Sequence, residues 1–442
     1  MPSIWQETSR LPEFESLQQD IKTDVLIIGG GIAGILCAYM LGKAGIDYAL
    51  VEAKSICSGV TKDTTAKITS QHGLIYDKLI REFGAERAGM YLCANEEALE
   101  IYRGLCAGID CDFVEKDAYT YSLDDSEKID RELEALESIG FRARRSKHLP
   151  LPFPVAGAVR FNDQAQFHPL KFLSAIAKGL NIYEHTAVRE LKGHTAVTDN
   201  ANIHAGCIIA ATHFPFINKH GSYYLKMYQH RTYEIALADA PALNGMYVNE
   251  SKTGLSFRNY KDMLLLGGGA HRTGKRGGSF KELEDFAARR YPTSSVVCRW
   301  ATQDCMTLDG VPYIGHYSKN TPWFYVATGF NKWGMTSSMA AAQLLTDMIS
   351  GKKNPYEELF SPSRSILRPQ LAVNALEAAA GLLTPSNKRC PHLGCALKWN
   401  PNERSWDCPC HGSRFQENGN LINNPATGDL KCEKASKDEQ PS

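Results

Sequence analysis

Residues 23–53 read TDVLIIGGGIAGILCAYMLGKAGIDYALVEA. The apolar run Val25–Ile28 suits a strand buried on both faces. Gly29, Gly31 and Gly34 follow it in G-x-G-x-x-G spacing, and a helical apolar pattern then runs to Ala44, with Gly45 placed as its C-cap. A second strand, Tyr48–Val51, ends in Glu52, 18 residues after Gly34. Together these parts make a dinucleotide-binding βαβ unit. Gly29 permits the tight turn, Gly31 lets backbone approach a pyrophosphate, and Gly34 lets helix and strand pack closely. The helix N-terminus attracts phosphate, and Glu52 is placed to accept from ribose hydroxyls.

Two further segments bear on which dinucleotide is bound. A polar loop, Cys57 to Lys67, leaves the second strand, with Thr64, Thr65 and Ala66 at its end. Far downstream come QDCMTLDGVPYIG, an apolar run at Trp323–Ala327, and TGFNKWGMT. With these the chain resembles the D-amino-acid oxidase/glycine oxidase superfamily of flavoenzymes. The resemblance implies FAD and a late strand and helix that return to close over the flavin, with Asp309, Pro312, Gly315, Thr328, Gly329 and Gly334 at matching places. A helix is expected from about Met335, its positive end facing the flavin pyrimidine edge. The implied FAD-binding set is Gly29, Gly31, Gly34, Glu52, Thr64, Thr65, Ala66, Gly329, Gly334 and Met335. Gly267, Gly268 and Gly269 are not a second such loop, because no βαβ unit with a terminal acid follows; they are expected to end a strand near the substrate or flavin.

Near the C-terminus stand two boxes, Cys390-Pro-His-Leu-Gly-Cys395 and Cys408-Pro-Cys-His-Gly-Ser413. Each pairs a thiol with an imidazole, Cys390 with His392 and Cys408 with His411, and 15 residues separate His392 from Cys408. A Cys2His2 zinc site would accept these four ligands. So would a Rieske [2Fe–2S] cluster, in which two imidazoles replace two thiolates on one iron. The boxes resemble those of the Rieske proteins of cytochrome bc complexes. That resemblance implies a cluster held by Cys390, His392, Cys408 and His411, a disulfide between Cys395 and Cys410, and a Ser413 hydroxyl bonded to a cluster sulfur. Zinc would explain neither the extra cysteine pair nor the Gly394 and Gly412 turns. The segment LAVNALEAAAGLL, at 371–383, leads within a few residues to Cys390, leaving no room for the strands that usually precede the first box. The cluster loops are therefore expected to lean on the flavin domain or to be poorly supported.

The 442 residues allow two or three domains, and 43% hydrophobic with 22% charged residues is an ordinary globular composition. Forty-nine basic and 49 acidic residues cancel, and no basic run suggests nucleic acid. The N-terminus lacks the pattern of a secretory signal, no stretch reaches the ~18 apolar residues of a membrane span, and the scattered cysteines read as reduced thiols. The expected location is the cytoplasm. The expected fold is α/β (α+β overall): a discontinuous FAD-binding Rossmann-type domain at 23–80, 150–220 and 300–360, with an inserted mixed-sheet substrate domain at 81–149 and 221–299. An N-terminal extension at 1–22, a linker at 361–387, a small Rieske-type β module at 388–431 and a tail at 432–442 complete the plan.

In flavin enzymes the cofactor takes the hydride and the protein supplies orientation and electrostatics. Lys67, His271, Arg272 and Lys332 are the catalytic candidates, with His72, Arg258 and Trp333 also placed at the flavin–substrate face. Lys67 follows the loop that passes the isoalloxazine in the superfamily; otherwise it is a solvated lysine. His271 and Arg272 sit beside the glycine run, where a carboxylate clamp would serve; otherwise they are a loop histidine and a surface arginine. His168, before Pro169, is expected at a helix N-terminus, and His213 is expected in a structural role near the nucleotide. The expected activity is oxidation of a small amine or amino acid by FAD, with electrons leaving one at a time through the cluster to a protein or quinone acceptor. The rivals are an oxygen-using oxidase with a vestigial cluster module and a non-catalytic redox carrier or sensor.

Overall fold

The computed structural model describes residues 2–218, 220–251 and 254–430, and the tail expected at 432–442 lies outside them. Strand Ile21–Ile28, helix Ile32–Lys43 and strand Tyr48–Val51 form where the opening spacing puts them. Ile21–Ile28 is central in its sheet, between Asn202–Ala210 and Tyr48–Val51, with Phe324–Thr328 and Ile182–Tyr183 beyond them. These strands all pair parallel, so their apolar runs are buried from both sides. Tyr313–His316 closes one edge antiparallel. Helices Ile32–Lys43 and Gly334–Ile349 pack on each other, and Ala85–Cys106 packs on the latter. Ahead of Asn202–Ala210 come two short strands, Ile182–Tyr183 and Glu190–Lys192. The carboxylate of Glu184, between them, accepts from the Phe14 and Ile56 amides.

A second, larger sheet runs in the order Ser295–Thr307, Met227–Ala238, Met263–Arg272, Ser256–Tyr260, Met246–Asn249, Val114–Ser122, Gly157–Gln166, Lys67–Ile68. Gly157–Gln166 pairs with Val114–Ser122, Lys67–Ile68 pairs with Gly157–Gln166, and Ser295–Thr307 pairs with Met227–Ala238. All three therefore lie in the larger sheet rather than in the parallel one. The three glycines lie inside strand Met263–Arg272 rather than at its end.

The N-terminal segment is part of the core. Helix Ile4–Thr8 buries Trp5 completely, and the Trp5 indole donates to Thr64 O at 2.6 Å. The expected linker also carries structure. Pro369–Leu383 is a helix, and Arg364 ahead of it clamps the buried Asp309 carboxylate at 2.7 and 2.9 Å. The last layer is a four-stranded antiparallel sheet, Lys398–Asn400, Ser405–Asp407, Arg414–Gln416 and Leu421–Asn423. Among the described residues no helix is long and apolar enough to cross a membrane.

Candidate functional site

A cavity of about 970 Å³ opens along the carboxyl ends of the parallel strands. At one end lie Gly29, Gly31 and Glu52. Gly29 has φ +111°, and a Cβ there would stand 2.6 Å from Ala211 O; a Cβ on Gly34 would stand 1.9 Å from Gly29 O. Glu52 accepts from the Gly30 and Lys54 amides at 2.7 and 2.9 Å, which fixes its carboxylate at the cavity edge. The cradle fits an adenine dinucleotide: small residues where backbone must approach, helix amides at the phosphates and an acid for the ribose.

At the other end the loop Gly329 to Lys332 enters helix Gly334–Ile349 with three left-handed residues: Gly329 at φ 71°, Asn331 at 50° and Lys332 at 76°. No side chain caps that helix, so its first amides face the cavity, where Gly334 and Met335 line the wall. Trp333 stacks on His72, with centroids 4.9 Å apart and planes at 12°. Lys332 Nζ donates to Thr232 Oγ1 at 3.1 Å.

Of the catalytic candidates, Lys67 and Lys332 line the cavity and His271 and Arg272 do not. Lys67 is buried, donates to Thr65 Oγ1 at 3.1 Å and lies near Glu234. Burial pushes Lys67 down to about 8 and Glu234 up to about 7, and the charge each group places beside the other opposes both shifts. Gly267 makes room for the Glu234 carboxylate; a Cβ there would collide with both of its oxygens. No motif marks Glu234, although His230, Thr232 and Glu234 recur at a period of two in one strand, which puts them on one face. Arg258 is not in the cavity wall. It lies beneath the 64–66 turn, donating to Thr65 O and Ala66 O at 2.6 and 2.8 Å, with its guanidinium 5.3 Å from the Trp5 ring centroid. It thereby holds Ala66 at φ 52°. Thr64 and Thr65 line the cavity, and Ala66 is buried behind them. His168 caps helix Pro169–Ile176, and His213 lines the cavity wall.

The Cys/His boxes form two loops of one geometry. Cys390 N bonds Cys395 O and Gly394 N bonds Cys390 O; Cys408 N bonds Ser413 O and Gly412 N bonds Cys408 O, all at 2.9 Å. Gly394 and Gly412 both sit at φ 80°. The Cys390 and Cys408 thiols are within hydrogen-bonding reach of each other, and the His392 and His411 rings lie 5.0 Å apart at 90°. Nδ1 of each histidine is buried with no hydrogen-bond partner. Each Nε2 is engaged on the flavin side, His392 with Asn218 Oδ1 and His411 with Tyr224 O, both at 3.0 Å. Two neutral imidazoles with bare inward nitrogens beside two buried thiols make a donor set that fits a [2Fe–2S] cluster. Cys395 and Cys410 are joined as a disulfide. Cys408 lies within 4.8 Å of both bridged sulfurs, but a disulfide has no thiolate to offer a metal, so that trio is not a ligand set. Ser413 Oγ accepts from Ala426 N at 3.0 Å.

The boxes lean on the larger sheet. Arg272, expected at the substrate, donates instead to Pro409 O at 3.0 Å and Cys410 O at 3.1 Å. His271 stacks on Tyr233, on the same side of the sheet as the cluster module. Strand Met227–Ala238 thus shows His230, Thr232 and Glu234 to the cavity and Gln229, Arg231 and Tyr233 to the module.

Residues 24–348 match the FAD dependent oxidoreductase family, DAO, and residues 364–434 match the Rieske [2Fe-2S] domain. The Bacillus subtilis (strain 168) protein YhfW, named as a Rieske 2Fe-2S iron-sulfur protein, is 37% identical over 97% of each chain. A cytochrome b6-f complex iron-sulfur subunit of Nostoc is 48% identical over 42 residues, 10% of this chain and 24% of that protein. The crystal structure of glycine oxidase from Geobacillus kaustophilus superposes with a TM-score of 0.66 at 20% identity, over 78% of this chain and 99% of the other.

Proposed function

The chain belongs to the DAO family of FAD dependent oxidoreductases and carries a Rieske [2Fe-2S] domain, and from this we propose that it oxidises a small amine or amino acid and passes the electrons singly through the cluster to an acceptor. The observation that carries the reading is the strand Met227–Ala238, whose alternate residues face the flavin cavity and the second cluster box. That strand lies between cavity and box, and module residues Leu421 and Asn424 also line the cavity. The likeness to glycine oxidase, a protein named for oxidising an amino acid, supports the substrate class.

FAD when bound supplies the hydride acceptor, and a Rieske cluster supplies a one-electron store. The chain does the rest. Gly29, Gly31 and the helix after them would hold the pyrophosphate, and Glu52 would hold the ribose. Trp333 and His72 wall the ring end, and the amides of Gly334 and Met335 offer positive potential there. Lys67, whose burial favours the neutral amine, takes the proton of a substrate ammonium, and Glu234 beside it stabilises the lysine once it is charged. Cys390, Cys408, His392 and His411 would hold the cluster. Because both outer histidine nitrogens are engaged by Asn218 and Tyr224, the reading favours a protein acceptor docking elsewhere on the module over a quinone bound at the histidines. Free thiols predominate among the described cysteines, which suits a cytoplasmic setting.

The test is anaerobic purification with iron and flavin analysis, then a panel of amines and amino acids, following flavin bleaching and the EPR signal of the reduced cluster. Bleaching followed by a Rieske-type signal supports the reading. Hydrogen peroxide formed with no cluster reduction would point to an oxidase with an idle module. No bleaching by any amine or amino acid would point to a redox carrier.

A further inference from the structure

We propose that Gln229 and Gln303 are positioning residues that seat the second cluster box at a fixed place behind the flavin cavity, so that electrons cross within one chain without movement of the module. The proposal rests on the electron path proposed above and adds which residues set its geometry.

Four successive carbonyls of the box are each held by a side chain of the larger sheet. Arg272 takes Pro409 O and Cys410 O, at 3.0 and 3.1 Å. Gln229 Nε2 takes His411 O at 2.7 Å, and Gln303 Nε2 takes Gly412 O at 2.8 Å. The two glutamines also bind each other, Gln303 Nε2 to Gln229 Oε1 at 2.5 Å, and Thr273 Oγ1 donates to Gln303 Oε1 at 3.2 Å. Gln229 reaches Asn424 O as well, at 3.3 Å, and the Asn424 amide donates to Thr212 O and Phe214 O, both at 2.7 Å, at the end of a nucleotide-sheet strand.

Both glutamines are 1% exposed. Burying an amide is unfavourable unless its donors and acceptors are matched, and an apolar pair would fill the same space without that demand. What the amides add is direction: they fix the height and rotation of the loop that carries His411. The contact is backbone-close. A Cβ on Gly412 would stand 2.7 Å from Gln229 Cβ, and one on Gly274 would stand 2.6 Å from Pro409 N. On the cavity side of the same two strands lie Thr232, Glu234 and Asp304. Each crossing takes one electron from reduced flavin and turns one ferric ion of the cluster ferrous. The second electron follows once a one-electron acceptor has reoxidised the cluster, and the substrate protons leave to solvent.

The test uses the full-length holoprotein, with flavin reduced by light under anaerobic conditions and arrival at the cluster followed by absorbance and freeze-quench EPR. In the native protein the rate should be independent of protein concentration and of added viscogen. Gln229→Leu with Gln303→Leu should slow arrival at least tenfold while flavin content, iron content and the EPR line shape of the dithionite-reduced cluster stay as they were. Gln303→Asn alone should lie between the two. If the double variant loses its cofactors, the viscosity series on the native protein decides: a rate that falls with viscosity means a swinging module and overturns the seat. An unchanged rate in a loaded double variant overturns it too. No cluster reduction at all in the native protein would overturn the electron path, and the seat with it.

Discussion

Arg231, on the side of the larger sheet away from the cavity, grips Glu403 of the cluster module: its Nε donates to Oε1 at 3.0 Å and a terminal nitrogen donates to Oε2. Arg414 reaches the same carboxylate at 2.8 Å and Asp407 at 2.9 Å. Burial works against the charged form of Glu403, but the two guanidinium groups more than offset it and hold the carboxyl below its usual range. Replacing Glu403 with Gln should leave two buried cations short of a partner and cost about 3–5 kcal/mol, the usual penalty for breaking a buried pair. The sign with pH follows from the depressed value. The contribution is full above the unfolded carboxyl pKa and is lost as pH falls through the folded one. Melting curves of the native protein and of Glu403→Gln should converge in acid, and parallel curves at all pH values would refute the pairing.

Cys395 and Cys410 close a loop of sequence separation 15, for which chain entropy predicts a stabilisation of about 3 kcal/mol. The bridge ties the first box to the second, and Gly381 packs on it so closely that a Cβ there would stand 2.6 Å from Cys410 Sγ. Cys395→Ser with Cys410→Ser should lower the unfolding midpoint of the module in denaturant while the flavin stays bound. Coincident loss of flavin and cluster at one unchanged midpoint would show that the bridge does not support the module.

The local parts of this design are legible in the sequence because they are set by neighbours in the chain. The strand, glycines and helix of residues 23–53 form as spaced, the late helix starts at Gly334 within one residue of its expected place, and the paired boxes adopt matching turns. What is not legible is long-range. Gln229 and Gln303 are 74 positions apart and meet only because their strands pair. Arg272 reads as a substrate clamp from its glycine neighbours, yet it reaches the cluster loop. One signal was present: QHRTYE, 229–234, is polar on both faces of a strand that is buried throughout. Such a strand must have polar partners on both sides.

Gly34 tests the flavin cradle separately from the cluster. A Cβ at this position would stand 1.9 Å from Gly29 O, a backbone atom that cannot give way without opening the turn. Gly34→Ala should therefore weaken FAD retention by at least tenfold, about 1.4 kcal/mol, while iron content remains. Equal flavin content in the two purified proteins would refute the close-packing role.

Lys67 and Glu234 give the reaction its expected pH dependence. Burial drives both groups toward their neutral forms, Lys67 down to about 8 and Glu234 up to about 7. Burial favours the neutral amine, so the base form of Lys67 accumulates below the ordinary lysine value. Flavin reduction by substrate, measured anaerobically in single turnovers, should rise with pH along a limb centred there. Lys67→Met should abolish the limb and slow reduction by about 10²–10⁴-fold, the usual worth of a positioned base. Glu234→Gln separates a proton pair from an isolated lysine. The carboxylate raises the lysine pKa, so removing its charge should move the limb to lower pH. A limb that stays in place or moves to higher pH in Glu234→Gln would rule out the pairing as the source of the pH dependence, even if Lys67 itself proved essential.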